Sequence, residues 1–280
     1  MSIAKLASIE LLKTRKRFGF WMALLFFFGF FLLNLGAGLY EHMRTGVAGT
    51  PLPQSWPGIV NLSGSLGMLV ILVTVVLLTA SEKTWRTQRQ NVIDGLSRAQ
   101  FFTAKMITMA AIVALLWIGV IALTLSFGLV ERAGGVTELP IVRALDLKLF
   151  GGLLLNLGMV GAMALLFGIA TSSSGAALAF AFLFMFSQSP IGMLMVREGG
   201  IWEAMAAFLP MQVLQALTST VTYDARALAE TLEGLRQMEE AGRSFPMPRP
   251  LAAVETFTAA LVYVVVFLGA AWLVVRRRDL

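Results

Sequence analysis

The chain contains no cysteine and a single histidine, His42, in 280 residues. Without cysteine there is no disulfide, no thiol nucleophile and no Cys-ligated metal, and the redox compartment cannot be read. One histidine excludes a histidine-rich metal or haem site built by this chain alone. Charge is scarce, at 14% of residues against about 25% in soluble domains. No G-x-x-x-x-G-K-[ST] loop is present to cradle ATP phosphates. Paired carboxylates, metal-spaced ligands and a catalytic triad are absent too, so the chain is read as no enzyme. Period-two alternation is missing, which excludes a membrane β-barrel.

What is abundant is apolar. Apolar residues make up 58% of the chain, and its mean hydropathy is +0.79. A spanning helix needs about 20 such residues. Six segments qualify: 18–40, 58–80, 106–130, 149–170, 175–196 and 256–275. The fold class expected is an all-α membrane protein, one transmembrane domain over 1–280. The first apolar run is longer than the roughly 7–15 residues of a signal h-region, so it reads as a retained anchor.

Lysine and arginine set the orientation. With the N-terminus in the cytosol, thirteen of the 22 fall inside with four acids, and nine fall outside with twelve. Both termini are therefore expected in the cytosol. The formal charge of +6 reflects this asymmetry, and no nucleic-acid partner is expected. The turn 171–174 joins spans four and five; its serines lack a base, because His42 falls in the opposite compartment, and it reads as a plain turn.

The longest cytosolic connector, 81–105, reads SEKTWRTQRQNVIDGLSRAQFFTAK. It carries Lys83, Arg86, Arg89, Arg98 and Lys105 against Glu82 and Asp94, with Trp85, Val92, Ile93, Leu96, Phe101 and Phe102 to pack a helix. It reads as a basic, amphipathic docking surface. Ahead of span one, 1–17 forms an amphipathic lead-in with Ile3, Leu6, Ala7 and Leu11 on one helical face. Lys5, Lys13, Arg15, Lys16 and Arg17 supply cations for the lipid phosphates of the inner interface. Glu10 falls inside the apolar stripe. It either snorkels or pairs with Lys13 or Arg17, or it contacts a cytoplasmic loop of this chain or a partner.

On the outer side, 197–255 is the largest extramembrane piece. Within it 201–217, interrupted at Pro210, reads as two short helices dipping into or lying on the outer leaflet. The stretch 225–238 reads as an amphipathic helix with Leu228, Leu232, Leu235 and Met238 on one face. Ala164, Gly168 and Ser172, and Gly175 with Ala179, recur every four residues and mark close helix packing. Pro190 should kink span five. Asn34, Asn61, Asn156 and Gln188 are polar within or at the rim of spans, so they should face other helices or a water-filled path. No span carries a charged residue near its middle, which weighs against a proton- or sodium-coupled transporter.

Taken together, the chain resembles the membrane subunit of ABC-2-type (type V) ABC transporters over its whole length. The lead-in ASIELLKTRKRFGFW is similar to the family's interfacial connecting helix, with Glu10 ahead of a basic cluster. Glu82, Ser97-Arg98 and Lys105 match the pattern of its coupling-helix region. That region's Gly-Thr pair is absent here, and Asp94-Gly95 stands where Pro is expected. The 59-residue segment between spans five and six, with Phe208-Leu209-Pro210, and the closing Arg276–Arg278 complete the likeness.

The resemblance implies a permease in a bacterial cytoplasmic membrane. It would pair with a second copy or homologue and with two cytosolic ATP-binding subunits, which hold ATP and Mg while this chain holds no cofactor. Glu82, Arg86, Arg89, Asp94, Arg98 and Lys105 would couple to the ATPase. An uncharged path would suit export of a hydrophobic or amphipathic substrate. The alternatives are a non-transport scaffold or mechanotransmission subunit of an ABC complex, or a membrane enzyme or channel.

Overall fold

The structure is a computed structural model that describes residues 3–45, 52–84, 97–133, 140–171, 173–240 and 248–277. Among these residues there are eleven helices and no strand. They are α1 (Ile3–Arg15), α2 (Phe18–Thr45), α3 (Trp56–Thr84), α4 (Arg98–Ala133), α5 (Ala144–Ala170), α6 (Ser174–Glu198), α7 (Ile201–Ala206), α8 (Pro210–Ala216), α9 (Thr220–Tyr223), α10 (Ala225–Glu240) and α11 (Ala253–Arg277). Six of them, α2 to α6 and α11, are long and apolar enough to cross a membrane. The chain is a multi-pass, all-α membrane protein.

Helices α3 and α5 form the centre. In their most apolar windows 61% and 67% of residues are buried, against 11% for α2 and 22% for α6 and α11, which therefore lie on the rim. Lipid is as apolar as leucine, so close backbone approach and hydrogen bonds hold such helices together. Gly168 of α5 supplies that approach: a Cβ there would come within 2.9 Å of the Thr79 Cβ of α3. Gly67 of α3 receives Leu157 of α5 in the same way. Phe27 and Phe31 of α2 stack and are buried against this core, while Phe26 and Phe30 face outward.

One packing expectation needs correction. Gly175 and Ala179 lie on an exposed face of α6, and nothing lies within 4 Å of where a Gly175 Cβ would be. The bundle is met instead by Ala177 and Ala181, both fully buried. On a helix a two-residue offset swings the small stripe to nearly the opposite side. Ala164 is buried as expected, and Ser172 lies outside the described residues.

Helix α6 runs through Pro190 without a break, although proline offers the Phe186 carbonyl no N–H. The serine-rich turn behaves as a turn: the Ser173 Oγ accepts from the Ala176 N–H at 3.2 Å and caps α6.

The ends of the bundle are built differently. One end, the terminal end, gathers α1, the start of α4, the turn before α6 and the close of α11. At the far end, Trp56 Nε1 donates to the Ile141 carbonyl (2.8 Å), and Arg143 Nη2 to the Pro53 carbonyl (2.9 Å). Asp146, fully buried, accepts from both the Arg143 backbone (2.7 Å) and its guanidinium (3.0 Å), closing a capping box on α5. Together these bonds tie the first two far-end loops to each other.

Candidate functional site

The terminal end holds a buried ion pair that joins two helices distant in sequence. Leu6, Glu10 and Thr14 recur every four residues along α1, and all three are buried. Leu11 and Leu12 are exposed, at 40% and 53%. The expected stripe is thus rotated: the face that packs on the bundle includes a carboxylate and a hydroxyl, and leucines face away. The reason stands 95 residues on. Lys105, in the second turn of α4, is itself buried, and its Nζ lies 2.5 Å from the Glu10 Oε2. The other oxygen, Oε1, receives Lys13 Nζ at 2.6 Å. One carboxylate is thus shared between a buried ammonium and a part-exposed one.

A narrow crevice surrounds this pair, lined by Glu10, Lys13, Thr14, Thr79, Lys105 and Thr108. Thr14 Oγ1 bonds back to the Glu10 carbonyl at 2.9 Å, and Arg17 Nη1 reaches the Leu77 carbonyl of α3 at 3.3 Å. Burial pushes the Glu10 carboxyl up; the charge and hydrogen bond of Lys105, with those of Lys13, outweigh it and hold the group below the usual carboxylate range. The ammonium of Lys105 also lies 5.6 Å from the Phe101 ring centroid.

The start of α4 is fixed on its other flank by the last helix. Ser97 and Gln100 form a reciprocal cap: the Gln100 N–H donates to Ser97 Oγ (3.2 Å) and the Ser97 N–H to Gln100 Oε1 (3.0 Å). Arg98 Nη1 donates to the Arg276 carbonyl at 2.5 Å, and Phe102 packs on Trp272 at 5.4 Å. Span three therefore begins eight residues earlier than the apolar pattern placed it, and its extra turns stand between α1 and α11. These contacts form a joint between α1, α4 and α11.

Of the six residues expected to couple to an ATPase, Arg98 and Lys105 meet at this joint. Lys105 is buried, whereas Arg98 is exposed and reaches across the surface to the Arg276 carbonyl. Arg86, Arg89 and Asp94 lie outside the described residues, as does the side chain of Glu82. In the lead-in, Arg15 and Lys16 are exposed beside Leu11 and Leu12. Trp21 Nε1 bonds the Arg15 carbonyl at 2.7 Å and fixes the corner between α1 and α2.

The four polar span residues divide in two. Asn156 is buried, and its Nδ2 donates to the Leu214 carbonyl of α8 (2.8 Å). Gln188 is buried as well, and its Oε1 accepts from the Met211 N–H of α8 (2.6 Å). Both bonds run between helices. Asn34 and Asn61 are exposed, and Asn34 bonds its own helix at the Phe30 carbonyl (3.3 Å). Asn61 lies in the second turn of α3, and Asn34 lies past the middle of α2.

Sequence reasoning missed Asp146 and its Arg143 partner, although their i, i+3 spacing at a helix start was visible. No protein-family model matches the sequence, and neither does any curated protein.

Proposed function

We propose that this chain is the transmembrane permease subunit of an ATP-driven ABC transporter, exporting a hydrophobic or amphipathic substrate. Two cytosolic ATP-binding subunits would hold the ATP and Mg, and a second permease copy or homologue would complete the path. The observation that carries this reading is the joint at the start of α4. The basic connector 85–96 leads straight into turns that are capped by Ser97 and Gln100, pinned to α1 by Glu10–Lys105 and pinned to α11 by Arg98. A push on that connector from the cytosol is handed to spans one, three and six together. Lys105 acts in this scheme through α1, not as a contact on an open surface.

Charge complementarity at such a docking surface selects and orients the partner more than it adds affinity. The test is charge reversal in two groups. Arg86→Glu/Arg89→Glu alters the connector alone and should uncouple ATP hydrolysis from transport with the membrane fold intact. Arg98→Glu should also loosen α11. Unchanged coupling in the double variant removes the connector as the docking surface.

A further inference from the structure

We infer that residues 208–218 form a detachable plug over the far end of the bundle, and that Asn156 is its latch. The plug is seated by side chains that come from different helices and hold its backbone. Asn156 of α5 donates to the Leu214 carbonyl (2.8 Å), Gln188 of α6 accepts from the Met211 N–H (2.6 Å), and Tyr263 of α11 donates to the Phe208 carbonyl (2.7 Å). Tyr223 of α9 closes the set on the Leu217 carbonyl (2.8 Å). The socket is cut by glycines. A Cβ at Gly152 would stand 2.1 Å from the Leu217 carbonyl oxygen, and one at Gly64 would stand 2.6 Å from Thr218 Cγ2.

The plug's own structure gives it little independent rigidity. Helix α8 within it has seven residues, and α7, which leads into it from the hinge, has six, well under the roughly 12–15 at which an isolated helix becomes even marginal. The segment hangs from Gly199 and Gly200, whose φ angles of 69° and 61° lie in the region glycine alone enters freely. A pair of such residues at a helix end can absorb the rotation of a hinge. A short unit on a glycine hinge, held by these hydrogen bonds and by the buried Val213, Leu214 and Leu217, can be lifted as a body. The proposal rests on the transporter reading only for its purpose: cargo leaving by the far end must pass this segment.

The absence of native cysteine makes the test clean. Val213, on the plug's inner face, is fully buried. A Val213→Cys variant should label slowly with a membrane-impermeant maleimide, and adding Asn156→Ala should raise the rate roughly tenfold, the worth of one buried hydrogen bond. Adding Asn61→Ala, at an exposed position, should leave it unchanged. For the second measurement, a Cβ at position 64 lies 3.5 Å from the Thr218 Cβ, within the disulfide range of about 3.5–4.5 Å. Replacing Thr218 also removes the Cγ2 that would clash. Gly64→Cys/Thr218→Cys should oxidise readily, slow amide exchange across 211–217 at least tenfold, and recover on reduction. If Asn156→Ala leaves the Val213→Cys rate unmoved, or the locked and reduced forms exchange alike, the segment is a fixed part of the bundle and the inference falls. Neither readout needs substrate or ATPase. A plug that opens in these assays but never responds to ATP would instead count against the transporter reading.

Discussion

Replacing Glu10 by Ala removes the carboxylate that two ammoniums share, and the consequences for them differ. The Lys13 side chain is 41% exposed, so water takes over its charge, and an exposed pair of this kind is worth about 0–1 kcal/mol. The Lys105 side chain is only 4% exposed. Removing one partner of a buried pair costs about 3–5 kcal/mol, because the remaining charge stays in a poor solvent. At about 1.4 kcal/mol per tenfold change, about 3 kcal/mol corresponds to a population of undocked α1 raised roughly a hundredfold. Trypsin reads that population directly, since Arg15 and Lys16 stand at the end of α1. In detergent, Glu10→Ala and Lys105→Ala should each speed cleavage there by about two orders of magnitude, and Lys13→Ala by less than tenfold. Glu10→Leu/Lys105→Met, which fills the site with apolar volume, should recover most of the protection. Equal rates for Lys13→Ala and Lys105→Ala, or a double variant as damaged as the sum of its singles, would refute the reasoning.

Further outcomes follow from the same geometry. The Glu10 carboxyl is held below its ordinary 4.5 in the folded chain; its contribution is therefore complete above about 4.5 and is lost as the pH falls through the folded value. The protection of the α1 amides, taken relative to their intrinsic exchange rate at each pH, should fall in that acid range and stay constant between pH 6 and 8. Gly152→Ala should destabilise by about 1–3 kcal/mol or more through overpacking against the Leu217 carbonyl. Gly158→Ala, with nothing within 4 Å of its Cβ, should be neutral or stabilise slightly in thermal unfolding. Asp146→Ala should cost about 2 kcal/mol in the same assay, since it strips the charged cap from α5 while Arg143, at 37% exposure, keeps access to water.

The six spans were readable because apolar runs of this length have one use, and all six expected segments lie within helices found. Their ends were less readable. Span three extends back to Arg98 because Ser97 and Gln100 cap it, a local signal that the apolar pattern overrode. The face of α1 was misplaced for a different reason. Hydrophobic periodicity assumes that leucine marks the packed side, whereas lipid accepts Leu11 and Leu12 and the protein interior accepts Glu10 once Lys105 arrives. Glu10 was conspicuous in the stripe; it pairs with Lys13, one of its expected partners, and with Lys105, the last residue of the connector 81–105. No one-dimensional pattern pairs residues 10 and 105. Asn156 and Gln188 were legible as polar groups in need of partners, but the backbone they hold lies 58 and 23 residues away.

The central claim is that this bundle is driven from the terminal end by a separate ATPase. Co-expressing the tagged chain with candidate ABC ATP-binding subunits from the same genome, followed by purification in mild detergent, tests that claim most directly. The account predicts that the ATPase is retained in equal amount with the permease and is lost from Arg86→Glu/Arg89→Glu while the membrane chain stays folded. A well-folded chain that never retains an ATPase would contradict it.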